Sequence, residues 1–406
     1  MAIKKASAGK RGDNIRSDCY FEIELKKSGG LKIELISKVH SMYGESIMRA
    51  VDDMCEFFNI KHAAILCEDF GALPFTLMAR FELAVKRLGI GEEKEMLPIM
   101  HKKNKYATSK ERLRRSRLYL PGNEPKFYPN AGLHAPDGII LDLEDSVAHA
   151  EKDAAQLMVR NALRAIDFYG CERMVRINQL PKGLEDLKYV VPHNVHVILI
   201  PKCENAEQVK NVEREVEFVK EEFGVKGEIY FMPIIESALG VEHAYEIASA
   251  SKYNCALAVG LEDYTADIGT ARTNEGTESF VARSKVVNAA KAAGIQAIDT
   301  VFSDVNDMEA LRESVIEAKG LGFEGKGCIH PRQVKIVHEA FAPTEIEIDK
   351  SQKIVLAFEN AKAKGLGVVS LGSKMIDAPV VKRAHHTIEL ALQNNLIKIN
   401  WRDELI

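Results

Sequence analysis

The 406-residue chain carries 28% charged side chains, a formal net charge of −4 and no apolar run of 18 or more, which excludes a membrane-spanning helix and leaves no basic stripe for nucleic acid. Its length exceeds one ordinary domain, so two domains and a tail are expected. The Met-Ala-Ile-Lys-Lys start lacks the apolar region of a secretory signal and the seven cysteines form no CxxC pair, so a soluble cytoplasmic protein with buried free thiols is expected.

Residues 1–88 read as a small α+β domain. After a basic start (Lys4, Lys5, Lys10, Arg11, Arg16), two alternating runs, YFEIEL and LKIELIS, flank Ser28-Gly29-Gly30 and predict a β-hairpin. In SIMRAVDDMCEFFNI, apolar Ile47, Val51, Met54, Phe57 and Phe58 recur at spacings of three and four, the signature of a helix with one buried face. HAAILCEDFGALPF predicts a strand and a tight turn at Gly71, and TLMARFELAVKRL a second amphipathic helix. Residues 89–112 are polar and unperiodic, which predicts a linker; if flexible, it would span about 25–30 Å and let the small domain visit its neighbour.

Residues 113–345 carry eight short apolar runs: SRLYLPG, DGIILDLED, RMVRINQ, VHVILIPK, IYFMPIIES, CALAVGLED, QAIDTVF and GKGCIHP. They are continuously apolar rather than alternating, as strands covered on both faces are, and helical segments separate most of them. Eight such units predict an α/β fold of the TIM (β/α)8 barrel type. Residues 346–406 predict a C-terminal helical extension or lid, with a loop before the last helix. Just past the strand ends stand Asp142, Glu144, Asp145, Arg176, Lys202, Glu236, Asp263, Asp299 and His330, where barrel enzymes keep their active sites.

Glu236 and Asp263 end consecutive strands, and two oxygen ligands with room for waters suit Mg²⁺. Zinc is disfavoured, since neither Cys nor His accompanies them. Asp142, Glu144 and Asp145 add acidic groups to the same mouth, acting through metal-bound water or, for one of them, as a helix cap. Arg115, Arg176 and Lys202 supply positive charge, and an Arg fork matches a carboxylate. The ensemble fits a small polycarboxylate chelating Mg²⁺. Surface ion pairing is the competing account of Arg115 and Lys202.

RLRRSRLYLPGN, ILDLEDSVAHAEKDAA, MVRINQ, ILIPK, PIIESALGV, LAVGLEDY, AGIQAIDTVFSD, GFEGKGCIHPRQV and GLGVVSLGSKMIDAPVVKRA together resemble the β subunit of citrate lyase, in the wider family of malyl-CoA and citramalyl-CoA lyases. RSDCYFEI and EDFGALPFTLMARFELAV make the first domain similar to the citrate lyase γ subunit, an acyl carrier. The resemblance implies a carrier fused to its lyase, with Glu236 and Asp263 binding Mg²⁺ and Arg115 and Arg176 contacting oxoacid carboxylates. It implies that Asp377 in KMID is the acid/base, and that Ser17, with Ser7 as the alternative, carries a phosphoribosyl-dephospho-CoA prosthetic group; a free CoA thioester is another acceptable substrate form. The implied reaction cleaves a citryl thioester to oxaloacetate and an acetyl thioester. Implied partners are a separate α (transferase) subunit and further copies of the chain, as trimer or hexamer. Competing readings are a citramalyl- or malyl-thioester lyase, a thioesterase, and a non-catalytic carrier scaffold.

Overall fold

The computed structural model describes residues 5–363, 369–371 and 374–402. Residues 1–4, 364–368, 372–373 and 403–406 lie outside the described residues, and with them Lys4 and part of the loop expected before the last helix. The chain divides into two compact units, Met1–Val334 and Lys335–Ile406. No described helix is long and apolar enough to cross a membrane.

The first unit begins with a four-stranded sheet of β1 (Lys5–Gly9), β2 (Cys19–Leu25), β3 (Leu31–Ser37) and β4 (Ala63–Asp69), in the order β1-β2-β4-β3. The expected hairpin is therefore absent: β2 pairs antiparallel with β4, and β3 pairs parallel with it. Helix His40–Phe57 provides the crossover between β3 and β4, burying Ile47, Val51 and Met54. Positive φ at Gly29 and Gly30 turns the chain after β2, and β4 takes the place between β2 and β3.

Eight parallel strands follow: β5 (Ser116–Pro121), β6 (Gly138–Asp142), β7 (Glu172–Arg176), β8 (Val197–Ile200), β9 (Tyr230–Ile235), β10 (Ala256–Val259), β11 (Gln296–Asp299) and β12 (Gly325–Cys328). They close into a barrel, with β12 beside β5. Every residue of VILI in β8 and YFMPII in β9 is buried, as strands need when helices cover one face and the barrel interior the other. Met174, Leu199, Met232, Ile234, Ala258 and Ile298 belong to the resulting core.

Residues 89–112, expected as a tether, are instead clasped against the barrel. His101 N–H donates to Arg164 O at 2.7 Å, and Tyr106 Oη–H to Cys171 O at 2.6 Å. The Arg173 guanidinium lies 4.3 Å from the centre of the Tyr106 ring.

In the second unit, helices Glu345–Ala363 and Ala378–Gln393 flank a short antiparallel hairpin, Val369–Leu371 with Lys374–Ile376. Ile354, Val355, Ile376, Val381, Ile388 and Trp401 form its core.

Candidate active site

Because all eight strands run the same way, side chains at their C-terminal ends converge on one face. A cavity of about 350 Å³ opens there, with Arg117, Tyr119, Asp142, Arg176, Glu236 and Asp263 among its lining residues.

Arg176, the last residue of β7, grips Asp142, the last of β6, through two parallel hydrogen bonds of 2.7 Å. Asp142 also accepts the backbone N–H groups of Glu144 and Ser146 at 3.0 and 3.2 Å. Burial alone would push the Asp142 carboxyl up, but the guanidinium and these donors hold it below the usual carboxylate range. The third Arg176 nitrogen, Nη1, lies 2.9 Å from Glu144 Oε2, outside hydrogen-bond alignment, and the guanidinium lies 5.3 Å from the centre of the Tyr119 ring. Asp142 therefore fixes Arg176 in place.

Lys202 adopts the left-handed backbone, φ +46°, a conformation uncommon outside glycine. Its N–H donates to Glu236 Oε2 at 2.9 Å, while its ammonium lies 3.4 Å from Asp263, 3.6 Å from Glu144 and 3.8 Å from Asp145. Burial acts to lower its pKa, but the three carboxylates outweigh it and the net direction is upward.

Glu236, directly after β9, is 6% exposed. Burial pushes its carboxyl up to about 8, with Glu144 and Asp263 adding to the rise. Gly260 makes room for it: a Cβ there would stand 2.4 Å from Glu236 Oε1. Asp263, in the first turn of helix Leu261–Asp267, is half-exposed at the rim of the same cavity.

Among the described residues no group of three or more His, Cys, Asp or Glu forms a metal cluster. Two carboxylates suffice for a cation that keeps waters and borrows substrate oxygens. Acidic groups crowd this mouth, with Asp142, Asp145, Glu236 and Asp263 among the lining residues beside Arg117 and Arg176, and a divalent cation would offset them. Glu236 and Asp263 fit that role, because Asp142 is committed to Arg176. A Gly260→Ala variant is expected to displace the Glu236 carboxylate and weaken divalent-cation binding about 10–100-fold by titration calorimetry; unchanged affinity would contradict the assignment.

One sequence expectation needs correction. Arg115 precedes β5 and stands at the N-terminal end of the barrel, opposite the cavity, where it forms paired 2.8 Å hydrogen bonds to Asp137. The β5 arginine at the cavity is Arg117. It is 2% exposed, donates to Met232 Sδ at 2.9 Å, and its Nε has no hydrogen-bond partner among the described residues. Strand alternation held the signal: Arg117 shares its face of β5 with Tyr119, while Leu118 and Leu120 take the other.

Asp299 is buried between Lys326, at 2.7 Å, and Arg283, at 3.1 Å. Burial would raise its pKa, but these cations hold it low, which makes it an internal counter-ion. His330 is half-buried, with its ring Nδ1 accepting from Arg332 N–H at 3.2 Å. Asp377 belongs to the second unit and caps helix Ala378–Gln393, accepting from Val380 N–H at 3.1 Å. Ser17 sits in the loop between β1 and β2 at φ +56°, and Ser7 lies within β1, paired with Glu22.

The family model described as HpcH/HpaI aldolase/citrate lyase matches residues 115–331, and that described as malonate decarboxylase delta subunit matches residues 4–88. The citrate lyase subunit beta of Leuconostoc mesenteroides subsp. cremoris is 43% identical over 290 residues, 71% of this chain and 96% of that one. Human mitochondrial citramalyl-CoA lyase is 32% identical over 68% of this chain and 85% of its own. Among solved structures, the CitE protein of Mycobacterium tuberculosis in complex with magnesium, acetoacetate and coenzyme A superposes with a TM-score of 0.59 at 27% identity, covering 70% of this chain and 99% of that one.

Proposed function

The chain belongs to the HpcH/HpaI aldolase/citrate lyase family and is a lyase, and from this premise we propose that it cleaves a citryl thioester, borne on its own N-terminal carrier domain, to oxaloacetate and an acetyl thioester. The observation that carries the reading is the pair Glu236 and Asp263 in a barrel-mouth cavity that also presents two arginines.

Bound Mg²⁺, held by Glu236 and Asp263 and otherwise by water and substrate oxygens, would supply Lewis acidity toward the substrate's hydroxyl and carboxylate. Arg117 offers its unpartnered Nε to a substrate carboxylate, and Arg176, fixed by Asp142, adds positive charge at the same wall. The substrate hydroxyl loses its proton to a base, the adjacent carbon–carbon bond breaks, and its electron pair passes to the thioester as an enolate. Lys202 contributes positive charge near the developing enolate. Asp377, as the resemblance implies, protonates the enolate at carbon.

The carrier domain would bear the phosphoribosyl-dephospho-CoA group on Ser17 through a phosphodiester. Exchange of acetyl for citryl on that arm requires a transferase, the proposed α-subunit partner. A homo-oligomer and a reducing, cytoplasmic setting complete the proposal; all seven cysteines are free and buried.

An oxoacid assay with citryl-CoA, citramalyl-CoA and malyl-CoA tests the reading. Mg²⁺-dependent oxaloacetate from citryl-CoA, lost in Asp263→Ala, is expected. Preferential pyruvate from citramalyl-CoA, or release of free acid without oxoacid, would overturn it.

Cation binding should also be coupled to protons. With the Glu236 carboxyl pushed up to about 8, binding at lower pH must displace its proton. Apparent Mg²⁺ affinity is expected to rise roughly tenfold per unit between about pH 6 and 8 and then level off. Calorimetry in two buffers of different ionisation enthalpy reads the released proton, and a pH-independent affinity would count against Glu236 as ligand.

A further inference from the structure

The helix Pro74–Arg87 is buried on all sides. Residues 75–77 and 79–85 are inaccessible, including the charged Arg80 and Glu82. A carrier domain that moved freely would present a polar outer face here, because a helix buried all round belongs inside a larger body. What covers that face is the barrel.

Glu82 meets Arg160 of the barrel helix Lys152–Ala165 through two hydrogen bonds of 2.6 and 2.9 Å, and both side chains are fully buried. Beside them Asn161 Nδ2 donates to Phe75 O at 3.1 Å, and the Phe75 ring stacks on Tyr128 with 6.3 Å between centres. At the margin Arg87 pairs with Asp153 at 3.0 Å. The connecting segment adds to the contact: Met96 N–H donates to Glu82 Oε2 at 3.0 Å, and Arg164 Nε donates to Pro98 O at 2.7 Å.

The docking also fixes where the attachment loop lies. Asp18, next to Ser17, is buried against Arg80 through hydrogen bonds of 2.8 and 2.9 Å. The same guanidinium donates to Asn123 O at 3.3 Å, and Lys10 pairs with Glu124. Asn123 and Glu124 follow β5 directly, beyond Pro121, which with Asp142 lines the cavity. The Ser17 loop is thereby tied to the rim on which the candidate active site opens.

We propose that the carrier domain is a fixed part of the lyase, docked with its attachment loop on the catalytic rim, so that the prosthetic arm alone travels and the transferase must meet it at that rim. This rests on the reading of residues 1–88 as the carrier and of Ser17 as its attachment point. An arm anchored at the rim keeps its thioester at high effective concentration without the search of a swinging domain.

Two measurements on the full chain test this. Trypsin should leave 89–112 intact for as long as the barrel survives, although Lys94, Lys102, Lys103, Lys105, Lys110 and Arg112 all offer cleavage points there. Rapid nicking into carrier and barrel fragments would overturn the docking, whatever the carrier bears. Second, Arg87→Cys and Asp153→Cys, joined by a reversible thiol cross-linker, lock the interface without competition from the buried native cysteines. The locked protein should turn over citryl on its own arm within about twofold of the unlocked protein, and a loss of more than about tenfold, reversed on reduction, would show that the domain must move. Free citryl-CoA, assayed in the same samples, reports the barrel chemistry. Its failure in both forms would refute the lyase reading and leave the trypsin result to judge the docking.

Discussion

Exchanging Glu236 for glutamine is expected to lower Mg²⁺-dependent turnover of citryl-CoA by about 10³-fold while making the metal-free protein more stable above pH 8. The amide matches the carboxylate in shape, fits the space left by Gly260 and can still accept the Lys202 N–H, so the local packing persists. What is lost is the charge that holds the cation, and losing about 4 kcal/mol of Lewis-acid stabilisation corresponds to roughly three decades in rate. The stability gain follows from linkage. A carboxyl raised from 4.5 to about 8 in the fold contributes stability that is full below about 4.5, falls progressively as pH rises and is gone above about 8. Glutamine carries no such loss, so the metal-free variant should exceed the parent by about 3–5 kcal/mol at pH 9 in urea titrations. A variant that kept activity within tenfold of the parent, or that was less stable at pH 9, would refute Glu236 as a cation ligand held in a dry site.

Arg160→Ala should cost about 3 kcal/mol, because it takes from the buried Glu82 its bidentate partner and leaves only Lys86, at 3.1 Å, as counter-ion. The desolvation of both ions is already set against their attraction in the native pair, so removing one partner forfeits the attraction and keeps the penalty. Replacing both, as Arg160→Met with Glu82→Leu, should restore most of the loss, since apolar groups of similar volume often serve as well as a dry ion pair. Denaturant midpoints of the parent, single and double variants check this; a cost below about 1 kcal/mol for Arg160→Ala would mean that water reaches the pair.

The barrel was legible because eight continuously apolar runs leave few alternatives, and the meeting of Glu236 and Asp263 at one cavity because each stands beyond the C-terminal end of a strand. Arg115 precedes β5, so strand direction places it at the end of the barrel far from the cavity, and strand alternation turns Arg117 inward. The carrier sheet misled for another reason: two alternating runs around a Gly-Gly turn look the same whether they pair with each other or admit a third strand between them. The docked interface left no sequence signal, since Arg80, Glu82 and Arg160 are residue types that ordinarily decorate wet surfaces.

The helix Pro74–Arg87 also sets an order on biosynthesis. Its Glu82 leaves the ribosome 78 residues ahead of Arg160, a delay of about 4–16 s at ordinary elongation rates, during which one side of the helix has no cover. The nascent carrier must wait wet-faced until the barrel's early helices emerge. Once closed, carrier and barrel share one cooperative unit, so the pair should melt in a single calorimetric transition and a nick in either should loosen both.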